Sequence, residues 1–599
     1  MFLTRPEILG TFGVVASTHW LASATGMAVL ERGGNAFDAA AAAGFVLQVA
    51  EPHLNGPLGD STILLHDART GRGSVVCGQG PAPAALTIPY LRDALGLDLV
   101  PGTGLLPATV PGAFGAWVAM LRDHGTWSLP DVLGYAIGYA ARGVPVVPRI
   151  AATVQTVRPL FEAEWPTSAA LWLRDGGPVP GATWANPALA AMYGRIAREA
   201  AAAEGGREAG CEAALRAWYE GFVAEAVGRF CAATEAMDTS GRRHRGALTA
   251  DDMARWRPPV EEPVGLDYDP RGAAGAVRVL KAAAWNQGPT LLGTLAILRG
   301  FDLSALDPLG AEFAHLVAEA MKLAYADREA FYGDPDHVAV PLDRLLSEAH
   351  AAERRALVGP HASHDWWPSP GGRTADYDAA VARGLAAMEA AGSGEPTVSR
   401  LGASGGDTCH VSVCDRWGNM VAATPSGGWL QSSPTIPELG CPLGTRGQMF
   451  LLDESHPNGL APGKRPRTTL SPSLVLRDDG RPWIAFGTPG GEQQDQWQAI
   501  MLLRVLHHGM GLQEAIEAPA FHSEHWISSF WPRPARPGRL VLEGRYDPAV
   551  VADLRARGHD VAVGGDWSEG RLSAVRREPD GLMGAGANPR GMQGYAVGR

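Results

Sequence analysis

The sequence predicts a mixed fold of the α/β (α+β) type, helix-rich over its first two-thirds and strand-rich over its last third. Three observations carry that prediction. Between residues 112 and 360 apolar residues recur mainly at helical spacing, as over residues 212–230 and Ala311–Phe331, in long Ala-rich segments with polar faces. From Thr408 the pattern alternates instead, turning over Asp415-Arg416-Trp417-Gly418-Asn419 and resuming from Met420 to Thr424. Further on, Ser473–Arg477, the turn Asp478-Asp479-Gly480 and residues 483–486 have the pattern of a hairpin.

In chain order, Asn35 is placed to cap a helix over Ala36–Ala50, with Asp38 near the positive end of its dipole. Glu51-Pro52-His53 ends that helix in a Pro-restricted loop. Residues 62–66 and 74–77, joined by a turn at 67–73, predict a hairpin. The stretch 112–360 reads as a helical covering layer. Residues 361–406 turn loop-like, with Pro368-Ser369-Pro370-Gly371-Gly372, a short Ala-rich helix candidate and Gly392-Ser393-Gly394, the composition of a mobile linker. After Thr408 come the two hairpins, the loop Gly487-Thr488-Pro489-Gly490-Gly491, and a helix from about Gln493 to His507. A last helix is expected over 548–557, with short strands near Val561 and Ser573.

The chain has 599 residues, 46% of them hydrophobic and 19% charged, which gives ample material for a core. Its formal net charge of −12 argues against a nucleic-acid partner. The one basic cluster, Arg242-Arg243-His244-Arg245, reads as a solvated loop. No run of 18 apolar residues suggests a membrane partner, and the N-terminus lacks an apolar signal core, so a cytoplasmic location is expected. Six scattered cysteines without CxxC spacing fit reduced thiols. No metal or cofactor is expected: His522 and His525 with one carboxylate are a weak ligand set, and residues 459–464 lack the Ser/Thr of a phosphate loop.

Thr408 alone is a β-branched residue opening a strand. Its company changes the reading. Thr408-Cys409-His410, Gly418-Asn419, Lys464-Arg465-Pro466, Ser471-Pro472 and Pro489-Gly490-Gly491 form an ordered series. That series resembles the gamma-glutamyltranspeptidase family of N-terminal-nucleophile hydrolases. The likeness extends back to Gly33-Gly34-Asn35-Ala36-Phe37-Asp38 and Glu51-Pro52-His53, and forward to Ala518-Pro519-Ala520-Phe521-His522. The resemblance implies a four-layer αββα sandwich. It also implies a precursor that cuts itself between Asp407 and Thr408, into a large subunit of residues 1–407 and a small subunit of residues 408–599, together one intertwined domain. Thr408 would then attack an amide with its hydroxyl, using its own new α-amine as base. Many relatives are exported, so the missing signal is a departure.

By the same resemblance Gly490 and Gly491 match the oxyanion glycines, although a plain strand-to-helix turn would also use them. Ser426 falls where relatives carry a hydroxyl supporting the nucleophile; it could equally cap a turn. Thr468 and Thr469 stand in place of a serine pair that lines the pocket. Two departures concern the glutamyl group. Gln79 occupies the position of an Arg that holds the substrate carboxylate. Gln448 is kept, but Leu451 replaces the Asp that holds the ammonium. Each lost contact is worth about 1.5–3 kcal/mol. Arg446 and Arg467 are the remaining cations near the motifs; one could bind a substrate carboxylate bidentately, or both could be structural ion pairs.

The expected function is amide hydrolysis or acyl transfer through a Thr acyl-enzyme, on a small acidic amide, closer to the oxamate amidohydrolase-like branch of the family than to true gamma-glutamyl enzymes. A genuine gamma-glutamyltransferase and an unprocessed binding protein are the alternatives. The partners expected are the small amide and the two subunits of one precursor, with a higher oligomer allowed.

Overall fold

Two seven-stranded sheets form the centre of the computed structural model, which describes residues 3–389 and 408–599. In one sheet the strands run in the order Tyr595–Gly598, Gly13–Ser17, Val411–Asp415, Met420–Ser426, Asp60–Asp67, Arg72–Cys77 and Val260–Glu261. In the other the order is Ile8–Gly10, Met583–Ala587, Ser573–Arg577, Pro482–Gly487, Ser473–Arg477, Val277–Lys281 and Val264–Tyr268. Every pairing within these two sheets is antiparallel.

Alternation explains the layering. Val14, Leu64, Val75, Leu474, Ala485 and Val575 project between the sheets and pack into a common core. The opposite faces carry helices. Trp20–Glu31, Ala36–Ala50 and Ala113–His124 cover one sheet, while Pro289–Leu298, Ala311–Phe331 and Gln493–His508 cover the other. The result is the αββα sandwich that the motifs implied. Helix Ala36–Ala50 is buried along its whole length, which its small side chains allow. At Gly44 a Cβ would stand 2.4 Å from the Trp117 ring. The predicted Asn35 cap is present as a reciprocal capping box with Asp38.

Several boundaries differ from expectation. Residues 212–230 are two helices, Gly206–Tyr219 and Phe222–Ala233, broken at Glu220-Gly221. Val264–Tyr268 and Val277–Lys281, inside the stretch read as a helical layer, form the edge of a sheet. Within the predicted linker, residues 361–376 are mostly irregular and lead into helix Tyr377–Glu389. Residues 390–406 and Asp407 lie outside the described residues. Among the described residues no helix is long and apolar enough to cross a membrane.

Candidate active site

Thr408 sits at the mouth of the central strand pair, 2% exposed, bridged to Ser426 across the ladder. The two side chains face each other, with Thr408 Oγ1 3.1 Å from Ser426 Oγ. The Cys409 N–H donates to Pro425 O at 2.9 Å and holds this register. Alternation sends the Cys409 thiol to the other face, where it donates to Glu51 Oε2 at 3.0 Å. His410 is enclosed between Thr424 Oγ1 at 3.1 Å and Ser412 Oγ at 2.7 Å. Burial, reinforced by the Lys281 ammonium, pushes its pKa down to about 3, so the imidazole is neutral.

The second sheet reaches the Thr408 strand through strand Pro482–Gly487, which packs on both central strands. Only glycine fits at Gly487, because a Cβ there would lie 2.4 Å from the His410 ring. The loop that follows holds Gly490 at φ +119°, a backbone region open to glycine, and leads into helix Gln493–His508. Gln287 Nε2 donates to Gly491 O at 3.2 Å, and Gln494 Nε2 donates to Gly490 O. These bonds fix both peptide planes by their carbonyls. Among the described residues no acceptor takes either the Gly490 or the Gly491 N–H.

The predicted binding residues divide in two. Arg446 is at the site: its Nε lies 2.6 Å from Asp60 Oδ2 and its Nη2 donates to Asp60 Oδ1 at 2.9 Å. Asp60 is the cross-strand neighbour of Ser426, and the Arg446 guanidinium lies 5.9 Å from the Phe530 ring. Phe530 in turn would meet a Cβ on Gly491 at 2.8 Å. Arg446 therefore stands between Ser426 and the glycine loop, with Nη1 buried and unpartnered among the described residues. Arg467 is not placed in this way. Glu329 takes its Nη2, and Nη1 donates to Arg328 O at 2.9 Å. The bidentate substrate contact expected of one of them is thus corrected: Asp60 occupies the fork of Arg446, and Arg467 belongs to an internal ion-pair cluster.

Gln79 is fully buried; its Nε2 donates to Gly80 O at 2.9 Å and its Oε1 is left unpartnered among the described residues. Gln448 accepts from the Trp531 N–H at 3.1 Å and donates to Gly102 O at 3.2 Å, which ties the loop carrying Phe530 to the pocket. Thr468 is held in backbone bonding with Trp285 and Gln287, whereas the buried Thr469 hydroxyl has no partner among the described residues. Asp60, Gln287 and Phe530 were missed from the sequence. Asp60 alone carried a local signal, as a carboxylate at the head of a predicted hairpin.

His522 does not form a metal motif with His525. Its Nδ1 is 2.5 Å from Glu569 Oε2 and its Nε2 3.7 Å from Glu524. Burial opposes its charge, but the two carboxylates outweigh burial and push the pKa up to about 10. Among the described residues one further set of possible ligand atoms, on His315, Glu319 and His559, converges elsewhere in the core. There Glu319 is engaged by Lys322 Nζ at 2.6 Å, and the two imidazoles bond each other at 3.0 Å.

The family model for gamma-glutamyltranspeptidase matches residues 22–598. The chain is 33% identical to the glutathione hydrolase-like YwrD proenzyme of Bacillus subtilis (strain 168), over 99% of each chain. It is 30% identical to the oxamate amidohydrolase proenzyme of Klebsiella pneumoniae, covering 97% of this chain and 98% of the relative. The solved "Structure of LmbA2991HD" is 53% identical, with a TM-score of 0.91 and full coverage of both chains. The motif order around Thr408, the layer order and these matches agree: the chain belongs to the gamma-glutamyltranspeptidase family and is an enzyme of its hydrolase and transferase kind.

Proposed function

We propose that the chain is a precursor that cleaves itself before Thr408 and then hydrolyses a small acidic amide through a Thr408 ester. The observation that carries the reading is the 3.1 Å pairing of Thr408 Oγ1 with Ser426 Oγ, beside two glycine N–H groups that no described residue accepts. An internal peptide nitrogen has no basicity, so cleavage is what supplies the base. The free α-amine then takes the Oγ proton as Oγ bonds to the amide carbon. Gly490 and Gly491 receive the oxyanion, the proton passes to the leaving nitrogen, and the C–N bond breaks. Water repeats the attack on the ester and releases the acid. Ser426 holds the hydroxyl in line.

An acidic acyl group is supported by Arg446, whose Nη1 is the one guanidinium position that Asp60 does not use. The name of the Klebsiella relative, oxamate amidohydrolase, supports the same class. The second reading, a gamma-glutamyl substrate, draws on the name of the Bacillus relative. Against it stand neutral Gln79 and apolar Leu451 at the two positions that would hold the glutamyl charges.

Intact masses of the wild type and of Thr408→Ala test the processing step. Two fragments, residues 1–407 and 408–599, are expected in the first and one uncut chain in the second. A whole wild-type chain would remove the mechanism. Oxamate, a glutaryl amide and gamma-glutamyl-p-nitroanilide then separate the substrates, and efficient turnover of the last alone would favour the second reading.

A further inference from the structure

Residues 529–533 bridge the glycine loop and the turn that carries Arg446. The Ser529 N–H donates at 2.6 Å to Oε1 of Glu492, the residue after the glycine pair. The Trp531 N–H donates at 3.1 Å to Gln448 Oε1, in the turn Arg446–Met449. Between them Phe530 packs over Gly491 and faces Arg446. Arg533 ends this bridge in left-handed backbone, φ +58°, which a residue other than glycine adopts only at a cost. It lies outside every motif from which the site was read.

Arg533 is 1% exposed. Its Nη1 donates to Met449 O at 2.9 Å and to Ser529 O at 3.2 Å, which turns the guanidinium toward the Arg446 turn. Its Nε and Nη2 have no partner among the described residues. Those two atoms form one edge of the guanidinium, the edge that takes both oxygens of a carboxylate side-on. Arg446 gives the same edge, Nε and Nη2, to Asp60. Arg446 therefore has one N–H group to spare for a substrate, and Arg533 a two-point grip. The surrounding charges call for the same ligand. Arg328 and Arg467 share Glu329, and Arg328 also lies 3.3 Å from Glu492. Three buried guanidinium groups thus stand against two carboxylates, and among the described residues Arg533 pairs with neither. Burial pushes the Arg533 pKa down to about 10, with Glu329 opposing and Arg467 assisting, so the group is charged at neutral pH. A buried cation without its own counter-ion is costly, and a bound carboxylate offsets that cost.

We propose that Arg533 is the specificity-determining residue for the acyl half of the substrate, holding a carboxylate on that half side-on through Nε and Nη2. It touches substrate and takes no part in the proton transfers. The assignment rests on the Thr408 reading. Thr408 and Arg533 are both buried in the uncut chain, so the cut that frees the Thr408 amine must also admit substrate to the two of them.

Ratios of kcat/KM taken within one variant test it, since a general loss of activity cancels. With the processed wild type, the best of the oxalyl, succinyl and glutaryl p-nitroanilides is compared with its neutral partner of equal length (acetyl, butanoyl or pentanoyl). The acidic compound is expected to be cleaved roughly ten- to a hundredfold better, the range one charge-assisted contact supports. In Arg533→Gln that ratio falls toward unity. In Arg533→Lys part of it remains, because the charge stays while the fork is lost. Thermal shifts on the processed protein read binding without turnover. The dicarboxylate released from the preferred anilide is expected to raise Tm more than the matching monocarboxylate, and that difference to vanish in Arg533→Gln, each protein measured against its own ligand-free Tm. A ratio near unity in the wild type, or a ratio and a Tm difference that survive Arg533→Gln, overturns the proposal. An undiminished ratio in Arg533→Lys overturns the two-point contact, and the proposal with it, even where Arg533→Gln does not cut itself. Failure of Thr408 as nucleophile is read separately, in the fragment masses.

Discussion

Among the described residues Thr408 has one hydroxyl at hydrogen-bond length, and that hydroxyl sits on the strand directly opposite it. Ser426→Ala is therefore expected to lower kcat about fivefold, in line with roughly 1 kcal/mol for one such bond, with KM little changed. Steady-state kinetics on fully processed protein measure it. Gly490→Ala places a side chain at φ +119° and is expected to cost about 1–3 kcal/mol of local strain, read as slower turnover and slower self-cleavage. The candidacy of Thr408, Ser426 and the glycine pair was legible in the sequence through the resemblance of the ordered motif series to a known family. The role of Arg446 was not. Its partner Asp60 is 386 residues away, and no local pattern distinguishes a guanidinium already forked by a carboxylate from one awaiting a substrate.

Strands and helices were readable where their period persisted. Ala311–Phe331 and Ser473–Arg477 fall where the spacing put them, and the Asn35 cap was visible from its own side chain. Val264–Tyr268 and Val277–Lys281 escaped because five-residue strands at a sheet edge carry few alternations, and Lys281 breaks the second. That lysine is fully buried, satisfied by Asp495 at 2.9 Å and Ser473 Oγ at 2.9 Å, a compensation only the fold reveals. The sheets meet most tightly where Gly487 faces His410. Gly487→Ala is expected to destabilise the protein by about 1–3 kcal/mol through overpacking, and to impair processing, since the displaced ring is two residues from Thr408. Denaturant midpoints and intact masses report the two effects.

The whole molecule carries its charge unevenly. Behind the glycine loop Arg328 and Arg467 surround Glu329, with Arg328 Nη2 at 2.7 Å. Burial disfavours the Glu329 carboxylate, but Arg467, Arg328 and Arg533 overcome it and hold its pKa at about 2. Glu329→Gln leaves these cations uncompensated and is expected to cost about 3–5 kcal/mol by urea denaturation. A depressed carboxylate contributes stability above its ordinary pKa and loses it toward pH 2, so the wild-type advantage shrinks as acid is added. His522 has the opposite sign. With its pKa raised to about 10, its contribution is complete below pH 6.5 and is lost as pH rises toward 10. The Tm difference between wild type and His522→Gln is expected to fade over that interval. Net charge was readable from composition; these internal balances were not, because they depend on which charges the fold removes from water.

Strand Val411–Asp415 lies between Gly13–Ser17 and Met420–Ser426, and Met583–Ala587 is hydrogen-bonded to Ile8–Gly10. Both sheets thus draw strands from either side of Thr408. A cut there leaves the native contacts standing but erases the chain's memory of how to make them. Before the cut, Val411–Asp415 meets Gly13–Ser17 by closing a loop, at a cost that grows only logarithmically with length. Afterwards the same meeting is a second-order encounter between two pieces, each exposing half of an unfinished sheet. Refolding of the mature protein is therefore expected to be second-order and to slow on dilution. Thr408→Ala, still one chain, is expected to refold from urea at a rate independent of dilution.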